Sequence, residues 1–457
     1  MFATQSPRHL QVLLCRTKKF ALASPPICYK VGAASSGSIR KFLSARFSTS
    51  ARARNLKQSV LDNSDRHGVY LYPTLKPEPL NVVSAKGTTV VFSNGKTIED
   101  TTCGAAVACL GYNNERVKNA MIKQMDSFCY SNSLFYGHEI GEELAAELIG
   151  GTNGEMAKVY LMCSGAEAME SAMKMARQYY MELNPRQPQR TNFIAREGSY
   201  HGSTLGALSM GGHVGRRKLF EGMLLDNNIH RVSAANEYRG KADGQTSKEY
   251  VQQLADELDR KFQEFGPETV AAFVAETLVG ATLGTIPAPT GYFKAMKKVC
   301  DKYGALLILD EVMCGMGRFG SLHEWEQEGV VPDIQTVAKG LAGGFAPMVA
   351  MFINHRLSDA LMNGSGRPSQ RWQYQRQRLL LVSGKGTKEP FLPSDGIAKK
   401  VHLTALNDVG ISLYPGMGTK DGVAGDHAWI GPAYNCSKQD IERIVSKVKE
   451  AVVLALG

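Results

Sequence analysis

The chain has 457 residues, 43% of them hydrophobic, which is ample for a buried core, and no apolar run approaches the roughly 20 residues of a membrane span. Its formal charge is +10, yet eleven lysines and arginines precede Asp62, the first acid, so the remainder is near neutral and offers no broad basic surface to nucleic acid. The nine cysteines include no C-x-x-C pair, which argues against a zinc site and a redox pair and fits a reducing compartment.

Residues 1–55 form the first segment. They are rich in Arg, Ser and Ala, contain no acid, and carry Leu43 and Phe47 near their end. This is the composition of a mitochondrial transit peptide, with a cytosolic extension as the other reading. Next, Thr89-Val90-Val91-Phe92 followed by Asn94-Gly95-Lys96 predicts a hairpin.

From there to about residue 353, short apolar runs alternate with helical patterns, as in a parallel sheet covered on both faces. Residues 157–162 read as a strand. Cys163-Ser164-Gly165-Ala166-Glu167 then opens a helix over 167–180, with Met169, Ala172, Met173 and Ala176 on one face. Backbone N–H groups at such a helix start attract phosphate, although most loops of this kind are structural. A short strand at Phe193-Ile194 leads into Gly198-Ser199-Tyr200-His201-Gly202, where Tyr200 could lie against a flat ring or simply make a turn. The apolar run 270–275 ends at Glu276, which could orient a hydroxyl or cap a helix. The run 305–309 ends at Asp310-Glu311-Val312. Carboxyl ends of parallel strands are where ligands collect, so these acids are candidates for a site.

Lys339 stands between an apolar strand and a turn containing Gly340, Gly343 and Gly344. Burial there lowers an amine's pKa and frees it as a nucleophile, which suits Schiff-base chemistry. Enzymes using pyridoxal 5'-phosphate pair such a lysine with an acid on the pyridinium nitrogen, and Asp310 lies 29 residues upstream at another strand end. Residues 364–390 break the pattern. They hold Arg367, Arg371, Arg376 and Arg378 with no clear period, and read as a surface loop.

The Ser-Gly-Ala-Glu-Ala loop, Tyr200-His201-Gly202, Glu276, Leu309-Asp310-Glu311-Val312 and Ala338-Lys339-Gly340 occur in this order. In that combination the chain resembles the class III, fold type I, pyridoxal-phosphate-dependent aminotransferases. The similarity runs from about Tyr70 to Gly366 and resumes at Gly410-Ile411-Ser412-Leu413-Tyr414-Pro415-Gly416 and Gly425-Asp426-His427. It implies an α/β fold: a large, mostly parallel-sheet domain over 111–360 and a small α+β domain drawn from 56–110 and 393–457, with 361–392 atypical. It implies that Lys339 forms the Schiff base and shuttles the proton, and that Asp310 keeps the pyridine nitrogen protonated. Gly165 and Ala166 would hold the phosphate, Tyr200 and Val312 would face the two sides of the ring, and Glu276 would lie near the ring hydroxyl. No metal is implied. The expected reaction is a ping-pong exchange of an amino group between an amine or amino-acid donor and an oxo-acid acceptor, in a homodimer. A racemase or decarboxylase on the same fold, and a non-catalytic relative, are the alternatives. After Gly366 the chain departs from the family. The usual His-Thr-Tyr-type turn and alanine-rich helix are missing, the run to Gly410 is short, and nothing matches the phosphate-binding threonine of the neighbouring subunit.

Overall fold

The apolar runs bounded by turns do become strands. In a computed structural model, residues 70–73, 80–133, 135–280, 282–369, 378–380, 391–416, 426–429 and 437–457 are described. The expected transit segment lies outside these residues. The described residues fall in two units, one within Ser50–Gln370 and one within Arg371–Gly457.

The larger unit begins with a meander, β1 (Val82–Lys86), β2 (Thr89–Phe92) and β3 (Thr97–Glu99), in which the expected hairpin turns at Gly95 with φ of 83°. Its main sheet contains β4 (Met156–Met162), β5 (Asn192–Arg196), β6 (Ile229–Val232), β7 (Val270–Glu276), and, after a two-stranded hairpin of β8 (Leu278–Val279) and β9 (Ile286–Pro287), β10 (Leu306–Glu311), β11 (Ile334–Val337) and β12 (Val349–Asn354). The order is β4-β12-β11-β10-β7-β5-β6. All neighbours from β11 to β6 are parallel, whereas β12 runs antiparallel to both β11 and β4.

Every residue of β7 and β10 is buried, because helices cover both faces of the sheet. The two-residue period of a strand divides these side chains between two cores. Ala272, Val274 and Ile308 pack with Met169, Ala172 and Tyr180 of the helix Gly165–Glu182. Phe273, Leu307 and Leu309 pack on the other side with Leu254, Leu258 and Phe262 of the helix Ser247–Phe265 and with Phe293 and Met296 of the helix Tyr292–Tyr303. The helix Gly165–Glu182 starts where it does because Ser164 caps it. The Ser164 side chain accepts from the Glu167 N–H at 3.2 Å, and the Glu167 carboxylate returns to the N–H groups of Ser164 and Cys163.

In the smaller unit, β13 (Arg378–Leu380) and β14 (Tyr414–Gly416) flank β15 (His427–Trp429), each antiparallel to it. The helices Ile397–Thr404 and Lys438–Leu456 share a core of Val401, Ala405, Leu413, Ala428, Val448 and Val452. The segment expected to lack regular structure, 364–390, falls mostly outside the described residues. Within it, Arg378–Leu380 is a strand, which three residues are too few to reveal by period.

Candidate functional site

Parallel strands carry their carboxyl ends to one edge of the sheet, and four of them deliver polar groups there. Asp310 at the end of β10 is directly opposite Glu276 at the end of β7, and both are buried. Arg196 closes β5, also buried, and donates to the Glu276 carbonyl. Lys339 follows β11 by two residues, half-buried, with φ of +35°. Side chains other than glycine seldom adopt that backbone, so the position stores strain. Burial pushes the Lys339 amine below its ordinary pKa, while the charges of Asp310 and Glu276 act in the opposite sense.

The two carboxylates are held differently. The Asp310 Oδ1 atom accepts the Val312 N–H at 3.0 Å, and Oδ2 is 2.8 Å from His201 Nδ1. Glu276 accepts the Tyr200 N–H on Oε2 and the Gly280 N–H on Oε1, each at 3.0 Å. Burial raises the Glu276 pKa, with the charge of Asp310 adding to it and those of His201 and Arg196 opposing. The exposed Tyr200 ring has the Arg216 guanidinium 4.6 Å from its centroid.

The helix start at Gly165 belongs to the same cluster. A Cβ placed on Gly165 would come within 3.0 Å of Val312 Cγ1, so only glycine lets Val312 sit this close to the loop. A Cβ on Gly202 would fall 2.6 Å from that of Ala166, and the Gly202 φ is +135°, which fixes glycine there twice over. One turn into the same helix, Glu170 accepts the Gly206 and Ala207 N–H groups at 2.8 and 3.3 Å. The N–H groups of Gly165 and Ala166 meet no acceptor among the described residues, as expected of a helix's first turn. The structure thus brings Gly165, Ala166, Tyr200, Glu276, Asp310, Val312 and Lys339 to one edge of one sheet.

Three contributors were given no role of their own from the sequence, His201 appearing there only inside a motif. Arg196 had a signal, a charged residue ending the apolar run Phe193-Ile194-Ala195. The bonds made by Glu170 and His201 had none, because their partners lie 36 and 109 residues away.

Residues 72–370 match the family of class-III aminotransferases. This chain belongs to that family. An aminotransferase of Gibberella zeae is 85% identical to it over 511 positions that span all of both chains. An uncharacterised aminotransferase of Schizosaccharomyces pombe is 36% identical over 445 residues, covering 86% of this chain and 96% of that one. An amine transaminase from an uncultivated Pseudomonas species, solved with pyridoxal phosphate bound, superposes with a TM-score of 0.64 at 25% identity, over 85% of this chain and 99% of that one. The fold is therefore that of the fold type I pyridoxal-phosphate enzymes, and the aminotransferase uses that cofactor. Its residues fit the group in kind: free N–H donors at a helix start for a phosphate, a buried acid for a ring nitrogen, and an amine of lowered pKa for a carbonyl. The family match ends four residues past Gly366, where the sequence departs. An alignment of 511 positions over 457 residues leaves at least 54 positions with no residue of this chain.

Proposed function

We propose that this aminotransferase moves an amino group from an amine or amino-acid donor to an oxo-acid acceptor in two half-reactions, with Lys339 as the group that anchors the cofactor and moves the proton. One observation carries the proposal: an amine of lowered pKa on a strained backbone, under the influence of two buried carboxylates on adjacent strands. Pyridoxal phosphate, when bound, supplies the carbonyl that takes the donor's nitrogen and a ring that accepts electrons. The chain's residues do the rest. Gly165 and Ala166 would hold the phosphate through their N–H groups, and Asp310 would hold the proton of the ring nitrogen. Tyr200 and Val312 would bracket the ring, and Glu276 would lie beside its hydroxyl. Once its nitrogen is exchanged for the donor's, the Lys339 Nζ atom would serve as the base that carries the proton.

The test is a panel of ω-amines and α-amino acids, each offered with several oxo acids, with products followed by mass. Transfer of nitrogen from donor to acceptor is the expected result. Loss of carbon dioxide or inversion of the donor, without transfer, would refute it.

A homodimer is part of the same proposal. It is supported by the helix Glu115–Ser127, which buries none of its residues and exposes Ile122 and Met125. The division into a large domain over 111–360 and a small domain from 56–110 and 393–457 belongs to it too, although residues 82–99 cluster with the larger unit. So does import into the mitochondrial matrix, supported by the acid-free basic tail. N-terminal sequencing of the mature chain tests the import. An intact Met1 on a cytosolic protein would contradict it.

A further inference from the structure

Arg196 ends β5, and none of the roles above uses its side chain. It is 1% exposed. Nη2 donates to the Glu276 carbonyl, while Nε and Nη1 are buried and meet no hydrogen-bond partner among the described residues. Burying a cation without a counter-ion is costly, so something must offset its charge. The rings of Tyr292 and Phe293, with centroids 5.7 and 5.8 Å from the guanidinium carbon, offset part of it. Tyr292 adds no negative charge, because burial pushes its hydroxyl up to about 12. Glu257, on the helix Ser247–Phe265, is taken up by the N–H and hydroxyl of Ser233.

The remaining field falls on Glu276, whose carbonyl the guanidinium holds. That peptide also starts the turn that brings the Gly280 N–H back to the Glu276 carboxylate. The charged groups facing Glu276 are Arg196, His201 in the loop after β5, Asp310 on β10 and Lys339 after β11. Burial raises its pKa and Asp310 adds to that, while His201 and Arg196 oppose it. We propose that Arg196 is a positioning residue for Glu276: it pins the end of β7 by the carbonyl and is the buried counter-charge that keeps the carboxylate ionised, as acceptor for the cofactor's ring hydroxyl. The proposal rests on the reading of Glu276 given above.

The test uses the full chain loaded with pyridoxal phosphate, as Arg196→Met, Arg196→Lys and Glu276→Gln. The readout is the acid limb of the pH profile of kcat/KM, where activity falls as Glu276 takes up a proton. A cation that favours the ionised form holds this limb at low pH, so removing it moves the limb up. Arg196→Met keeps the length and drops the charge, and should move the limb up by about one pH unit, a tenfold change in proton affinity. Arg196→Lys keeps the charge and should stay nearer the wild type. Arg196→Gln replaces the methionine variant if that one does not fold. Lower turnover at every pH with an unmoved limb would mean a merely structural role and would overturn the proposal, as would a lysine variant displaced as far as methionine. Glu276→Gln should abolish the limb. A limb that persists there belongs to another group, and removes the reading of Glu276 together with this proposal. A limb abolished by Glu276→Gln but unmoved by Arg196→Met removes this proposal alone.

Discussion

At the scale of single residues, the site is a set of charges that burial makes consequential. Asp310 is buried with its two oxygens bonded to separate donors, so it enters the site already oriented. Asp310→Asn keeps the shape and removes the charge. We expect the variant to fold and to lose turnover by about a hundredfold or more, the scale found when a preorganised charge partner is removed. Steady-state kinetics beside a thermal melt would check it, and near-normal turnover would show that the acid has another task. Lys339, Asp310 and Glu276 were legible in the sequence because each ends an apolar run, where a charged residue is conspicuous. Their partners were not. The pairing of His201 with Asp310 joins positions 109 residues apart, and no local pattern encodes which donor a carboxylate will meet.

At the scale of elements, the turn after β10 is tied down by Glu311, the fully buried neighbour of Asp310. It accepts from Thr277 Oγ1 at 3.0 Å, the Trp325 N–H at 2.7 Å, and the Glu324 N–H and Gln335 Nε2 at 2.8 Å each. Burial outweighs these donors and lifts the Glu311 pKa to about 7, while burial lowers that of His323, which meets the same Gln335, to about 4. The two therefore act oppositely on stability. The His323 contribution is fully present above 6.5 and is lost as pH falls towards about 4. The Glu311 contribution is present below 4.5 and is lost as pH rises through about 7. Between those limits the two slopes largely cancel. Glu311→Gln turns an amide towards backbone donors and should cost about 2 kcal/mol or more at neutral pH. It should also unmask the His323 slope, so that the variant weakens on going from pH 7 to pH 5 more than the wild type does. Urea titrations at both values check this, and parallel behaviour would contradict it. The strands β7 and β10 were legible because each is a continuous apolar run. The reversal of β12 was not, since an apolar pattern reports burial and is silent on direction.

For the whole molecule, the sequence departs after Gly366 and the alignment with the Gibberella relative holds at least 54 positions that this chain lacks. Loss of that much chain should expose apolar surface. We expect a chain carrying a family-like segment after Gly366 to retain more pyridoxal phosphate and to hold a larger dimer fraction than the chain as it stands. Light scattering and cofactor content measure both, and equal values would mean that the shorter connection serves as well. If the proposed dimer forms, Met125→Glu should shift the mass towards monomer, because a charge replaces an exposed apolar side chain on a helix with no buried residue of its own.

The measurement that bears most directly on the account is the identity of the lysine that holds the cofactor. The chain is loaded with pyridoxal phosphate, reduced with borohydride and cut into peptides for mass analysis. One tagged residue is expected, Lys339, and no tag in Lys339→Ala. A tag on another lysine, or none on a folded and loaded chain, would contradict it.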